Sequence, residues 1–273
     1  MSLYDWPDPR RLDLRASLRT LREDWLVRVS RQRAGIAVRA VVDVSASMAF
    51  GGSRPKLHVV ADFVEALGMS AFRVGDTVGM LAFEDVARPD LFIPPRLSRG
   101  MGTVMAAALR ACAHPRDASG RRHAVSQRQS PWLTMNRRSA DDGGSTGLEE
   151  AAAHLAGQQG LVFLVSDFHW PLRRMDNVLD LFAHASVVPV VVWDSAETEP
   201  PDRDALANLR DVESGASRTL WVRPRLRQEW HQAVVRRRLE IDSYFAAHGL
   251  RSFYMEGSFD PDALSRYFFE ESL

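Results

Sequence analysis

VVDVSASMAF, residues 41–50, closes an apolar, β-branched run that begins at Ile36 and passes straight into oxygen-bearing side chains at alternate positions, Asp43, Ser45 and Ser47. A short run of this kind, interrupted by Arg39 alone, is the pattern of a strand covered on both faces. The loop SASMAFGGSRP comes next, and then Leu57, Val60, Val64 and Leu67 recur at the spacing of one helix face. Strand, polar loop and helix in this order make one α/β unit. Ligands of open α/β sheets gather at the carboxyl ends of the strands, where Asp43 and the two serines fall.

The same alternation continues along the chain. VGMLAFED (78–85) reads as the next strand, residues 88–94 as a short edge strand ended by Pro94-Pro95, and Met105, Ala108, Leu109 and Cys112 as a helix face starting after Gly102. A helix is expected from about Thr146 to Ala156. LVFLVSD (161–167) is the clearest buried strand. A helix through Met175, Val178, Leu179 and Phe182 leads to the strand VVPVVVWD (187–194). TLWVR (219–223) reads as the final strand, before a long helix carrying Trp230, Val234, Ile241 and Phe245. Asp260 ahead of Pro261 marks the start of a last helix. The expected fold class is α/β, a doubly wound, mostly parallel sheet flanked by helices. Residues 1–34 read as an N-terminal helical extension, 35–225 as the main domain with a flexible insertion at about 114–145, and 226–273 as C-terminal helices packed on it.

Composition narrows the function. With 45% apolar residues in 273, the chain can bury a large core. One cysteine, Cys112, excludes an internal disulfide and any cysteine-cluster metal site. No run is long enough to span a membrane, and the polar start MSLYDWPDPRRLDLR lacks the apolar core of a signal peptide, so a cytoplasmic location is expected. The basic run RPRLRQEW and Arg236, Arg237 and Arg238 are interleaved with Glu229, Glu240 and Asp242 in a chain of zero formal charge. A nucleic-acid partner is therefore not expected.

If the strands ending at Asp43 and Asp167 are neighbours, two carboxylates converge with Ser45 and Ser47 on one crevice. Thr103, after Gly102 at the start of a helix, reads as a third hydroxyl on that rim. Oxygen-only groups suit magnesium, manganese or calcium. Two other readings stay open from the residues alone: a polar cap over a helix start, and a nucleophile. An aspartyl phosphatase would want a second acid where Ser45 stands, and a lysine at the rim; Lys56 is the chain's one lysine. No glycine-flanked elbow surrounds either serine.

Asp43-x-Ser45-x-Ser47, Gly102-Thr103 and Asp167 together resemble the metal-ion-dependent adhesion site of von Willebrand factor A-like domains. SMAFGG, Lys56 opening a helix, GDTVGMLAF, LVFLVSDF and VVVWDSAETEP resemble the bacterial branch encoded beside MoxR-type AAA+ ATPases, from about Arg28 to the C-terminus. The insertion and the absence of membrane helices depart from that pattern. The resemblance implies a non-catalytic module that binds Mg2+ (or Mn2+ or Ca2+) through Asp43, Ser45, Ser47, Thr103 and Asp167 and presents it to a protein partner. In the family the serines coordinate directly, the threonine directly or through water, and the aspartates often through water. The implied partners are a MoxR-type AAA+ ATPase and a client protein. The alternatives are a metal-dependent phosphohydrolase using Asp43 and a structural subunit with a vestigial site. His169, Trp170 and Lys56 are the candidate partner-binding residues, while Asp194 and Glu197 are expected to shape the rim. A lysine at a helix N-terminus opposes the helix dipole, so an acidic neighbour is expected beside Lys56.

Overall fold

The computed structural model describes residues 17–18, 25–26, 35–52, 54–113, 143–201, 205–210 and 217–271. The expected N-terminal helices and most of the expected insertion lie outside the described residues. The chain divides into two compact units, Met1–Gly35 and Ile36–Leu273. In the first, Leu26 N donates to Ser17 Oγ at 2.8 Å.

The second unit is built on a six-stranded sheet. Its strands are β1 (Ala37–Asp43), β2 (Thr77–Phe83), β3 (Ala87–Arg96), β4 (Gly160–Ser166), β5 (Ala185–Trp193) and β8 (Phe253–Glu256), in the order β3-β2-β1-β4-β5-β8. All neighbours are parallel except β2 and β3. β6 (Ala205–Arg210) and β7 (Ser217–Val222) pair with each other as a separate antiparallel hairpin. The expected final strand thus lies outside the main sheet, and the true last strand falls in the segment expected to hold helices alone. Its four residues are too few to show a pattern against the long helix before them.

Helices cover both faces. α1 (Lys56–Val74), α2 (Met101–Cys112) and α7 (Pro261–Glu271) pack on one side, while α3 (Gly143–Ala153), α4 (Met175–Leu181) and α6 (Pro224–Ala247) pack on the other. The four-residue α5 (Ser195–Thr198) comes directly after β5. β1 shows why its sequence is apolar throughout. Ala40 and Val42 join the first core and Val41 the second, because successive side chains of a strand point to opposite faces. The exposed edge β3 carries Pro89, Pro94 and Pro95, which cannot donate to a further strand.

Strand order and register bring Asp43 and Asp167 together. β1 is hydrogen-bonded to β2 on one side and to β4 on the other, so the strand order reverses between β1 and β4. Val42 pairs with Val165, which sets Asp43 level with Ser166 and next to Asp167. Helices α1 and α2 meet through glycines: a Cβ on Gly68 would stand 2.4 Å from Gly102 Cα, and one on Gly102 would stand 2.6 Å from Glu65 O. Both contacts are with backbone, which cannot rotate aside. Gly68→Ala is expected to destabilise the fold by about 1–3 kcal/mol through overpacking, read as a lower denaturation midpoint with an unchanged m-value.

A candidate metal centre at the carboxyl ends of β1 and β4

The loop after β1 is pinned from below. Met48 and Phe50 are buried, Val44 N donates to Phe83 O at 2.8 Å, and Lys56 N and Leu57 N donate to Phe50 O and Met48 O. Held this way, the loop turns its polar atoms inward over Asp43. Asp43 is 2% exposed, and its Oδ1 accepts from Ser45 N at 2.9 Å and its Oδ2 from Ser166 Oγ at 2.7 Å. Ser45 Oγ and Ser47 Oγ are 3.1 Å apart. Burial and the nearby Asp167 charge push the Asp43 carboxyl up to about 6, against the hydrogen bonds from Ser45 and Ser166.

Asp167 has a different environment. Lys56 Nζ lies 2.7 Å from its Oδ2 and 2.7 Å from Glu197 Oε1, and His169 N donates to Asp167 Oδ1 at 3.2 Å. All three charged side chains are buried. Burial alone would raise Asp167, but the charges of His169 and Lys56 and the hydrogen bonds from Lys56 and Ser47 hold it well below the usual carboxylate range. Lys56 is likewise opposed by burial and held above its ordinary value by Asp167 and Glu197. Glu197 is fixed in turn: its Oε2 accepts from Asp194 N in a capping box, and its carbonyl accepts from Trp230 Nε1 at 2.7 Å. Asp194 Oδ1 also accepts from Gly52 N at 2.9 Å, which ties the serine loop to α5.

The segment after β4 is shaped from α6. Phe168 has a φ of 50°, in the left-handed region that bulky residues rarely occupy. Arg237, 4% exposed, donates from Nε to Phe168 O at 3.1 Å and from Nη2 to Trp170 O at 2.5 Å. Ser166 Oγ accepts from Phe168 N at 3.0 Å and from Trp170 Nε1 at 3.3 Å while donating to Asp43. One hydroxyl thus serves three groups. Arg237, one of the arginines weighed for a nucleic-acid face, is a structural clamp.

Four of the five expected metal residues come together: Asp43, Ser45, Ser47 and Asp167. Thr103 does not. Because β3 runs antiparallel, α2 starts at the far end of the sheet, where Gly102 abuts Glu65. Glu65 lies nine residues beyond Lys56 along α1, about 13 Å at 1.5 Å per residue. Thr146, exposed in the first turn of α3, is at the near rim instead, since a Cβ on its neighbour Gly147 would stand 2.4 Å from Glu84 O, just past β2. Lys56, expected on a partner surface, is 1% exposed and faces inward; the expected acidic neighbours, Asp167 and Glu197, are the reason. His169 is 6% exposed with Nε2 3.8 Å from both carboxylates, and Trp170 is half-buried. Ser166 carries no signal of its role in the sequence, because a serine inside LVFLVSD reads as one more strand residue.

Asp167, His169 and Glu197 bring their ligand atoms within 4.8 Å of one another, the spacing of metal ligands, but the Lys56 ammonium, 2.7 Å from both carboxylates, already supplies a cation there. The donor set beside it fits a small hard cation. Adjacent ligands of an octahedron with 2.0–2.1 Å bonds are about 2.9 Å apart, close to the separation of the serine hydroxyls. Asp43 has no cationic side chain within ion-pair distance among the described residues.

The sheet is doubly wound, with Asp-x-Ser-x-Ser at its switch point, and the fold is of the expected α/β class. The chain belongs to the family described as protein of unknown function DUF58, whose model matches residues 7–240. No curated protein matches it. Among solved structures it is similar to the conserved hypothetical protein BatB of Bacteroides thetaiotaomicron (15% identity, 87% of this chain and 98% of that one, TM-score 0.42). It is also similar to an aerotolerance-related membrane protein of Bacteroides fragilis (13%, 87% and 98%, TM-score 0.40) and to the SpRpn10 VWA domain (9%, 85% and 95%, TM-score 0.33). No helix among the described residues is long and apolar enough to cross a membrane.

The raised Asp43 gives a signed prediction. A carboxyl that titrates near 6 when folded and near 4 when unfolded costs stability as pH rises through that window. In metal-free protein, Asp43→Asn is expected to raise the melting temperature at pH 7.5, by the equivalent of roughly 2–3 kcal/mol, and to change it little at pH 4. Arg237→Ala, which leaves the buried Phe168 carbonyl and the part-buried Trp170 carbonyl without this donor, is expected to cost about 2–4 kcal/mol at either pH.

Proposed function

We propose that this chain is a divalent-metal-dependent protein-binding module that works with a MoxR-type AAA+ ATPase on a client protein, in the cytoplasm. The observation that carries the reading is the convergence of Asp43, Ser45, Ser47 and Asp167 at the switch point, with the serine hydroxyls spaced as octahedral neighbours. In this reading Ser45 and Ser47 are direct ligands of Mg2+, Asp43 and Asp167 act directly or through water, and Thr146 takes the role assigned from sequence to Thr103. The ion would supply an electrophilic point that an acidic side chain of the partner completes. The ATPase assignment rests on the sequence resemblance.

The phosphohydrolase reading is less well supported by the same geometry. Both Asp43 oxygens accept hydrogen bonds, and the chain's one lysine is committed to two buried carboxylates rather than aimed at a phosphate. Metal-dependent phosphatase activity that disappears in Asp43→Asn would favour it. The binding reading is tested by pull-down of the ATPase in Mg2+ and in EDTA. Capture is expected to weaken about tenfold or more in EDTA and in Ser45→Ala, as for a central contact. Capture that ignores both would leave a structural subunit with a vestigial site.

A further inference from the structure

The two buried carboxylates of the site are not equivalent. Asp43 is held by hydrogen bonds from Ser45 N and Ser166 Oγ, and among the described residues no cationic side chain pairs with it. Asp167 already has an ammonium group on Oδ2 at 2.7 Å and a backbone N–H on Oδ1. Lys56 cannot act as a mobile screen. It is 1% exposed, its backbone N–H is bound to Phe50 O, and its ammonium is braced from the other side by Glu197, which Asp194 N and Trp230 fix in place.

We propose that Lys56 is the built-in counter-ion of Asp167, a positioning residue that keeps this carboxylate out of the inner coordination shell of an ion at Asp43, Ser45 and Ser47. The inference rests on the metal-module reading and assigns the distribution of charge within it. A fixed positive charge beside Asp167 repels a divalent ion and occupies the lone pairs that would otherwise bind it. The ion is left to one carboxylate, neutral hydroxyls and water. Such a site binds weakly, exchanges readily and keeps positions open for a carboxylate from another chain. A site in which both aspartates coordinated directly would bind more tightly and attract an acidic partner less.

The test uses the full chain and manganese(II), followed by the loss of its free EPR signal and by water-proton relaxation of the bound ion. Asp167→Asn, which keeps the shape of the side chain and leaves Lys56 on Glu197, is expected to alter Mn2+ affinity by less than about threefold, whereas Asp43→Asn loses it. The double variant Lys56→Met/Glu197→Gln has the net charge of the wild type and removes both partners of the inner pair. With circular dichroism showing it folded, it is expected to bind Mn2+ at least tenfold more tightly than the wild type, with lower relaxivity as Asp167 displaces a bound water. A general field effect of net charge would leave affinity unchanged. The inference is overturned if Asp167→Asn weakens binding tenfold or more, or if the folded double variant binds no more tightly than the wild type. Absence of Mn2+ binding by the wild type itself would overturn the module reading and this inference with it.

Discussion

The ammonium group of Lys56, set between Asp167 and Glu197 with almost no contact with water, is the constraint on which the site's architecture depends. Burying three charged groups costs several kcal/mol each unless they are paired at close range. Pairing them obliges the start of α1, the end of β4 and the start of α5 to meet at one point. The rest of the rim can be understood from that requirement. Trp193 and Trp230 donate to the carbonyls of Asp167 and Glu197 and fix both acids from behind. α1 begins at Pro55 with no side-chain cap and a lysine in its first turn, an unfavourable start for an isolated helix. Two tertiary carboxylates supply the negative potential that its own first turn lacks.

A second constraint acts through the backbone. Phe168 is in a conformation that costs free energy for a residue with a large side chain. It persists because its ring is packed against Phe245 and its carbonyl is gripped by Arg237. The turn brings Phe168 N back to Ser166 Oγ, the hydroxyl that donates to Asp43. α6 therefore influences the orientation of Asp43 through a chain of direct contacts, although no described residue of α6 is hydrogen-bonded to Asp43.

Much of this is legible in the sequence, and the parts that are not share a cause. The strands at Ala37–Asp43 and Gly160–Ser166 are readable because both faces of each are buried, leaving apolar runs with no competing period. Asp43, Ser45 and Ser47 are readable because their grouping is local. Thr103 is misplaced from sequence because a threonine after glycine at a helix start looks the same at either end of a sheet. Only the reversal of β3, a property of pairing, decides which end it occupies. Thr146 carries an equivalent local signal, since Gly143-Gly144-Ser145 leads into an expected helix. The place of Lys56 at a helix start calls for an acidic neighbour but does not say which acid or in which direction. Its partners lie 111 and 141 residues away.

The reversal of β3 also determines where the chain can change length. Since α2 starts at the far end of the sheet and runs back along α1, Ala113 returns to the rim that bears the candidate ion, and α3 departs from that rim at Gly143. Both attachment points of the intervening segment therefore belong to the same side of the molecule as Asp43. No described strand pairing involves residues between them, so a change of length there leaves the described sheet in place.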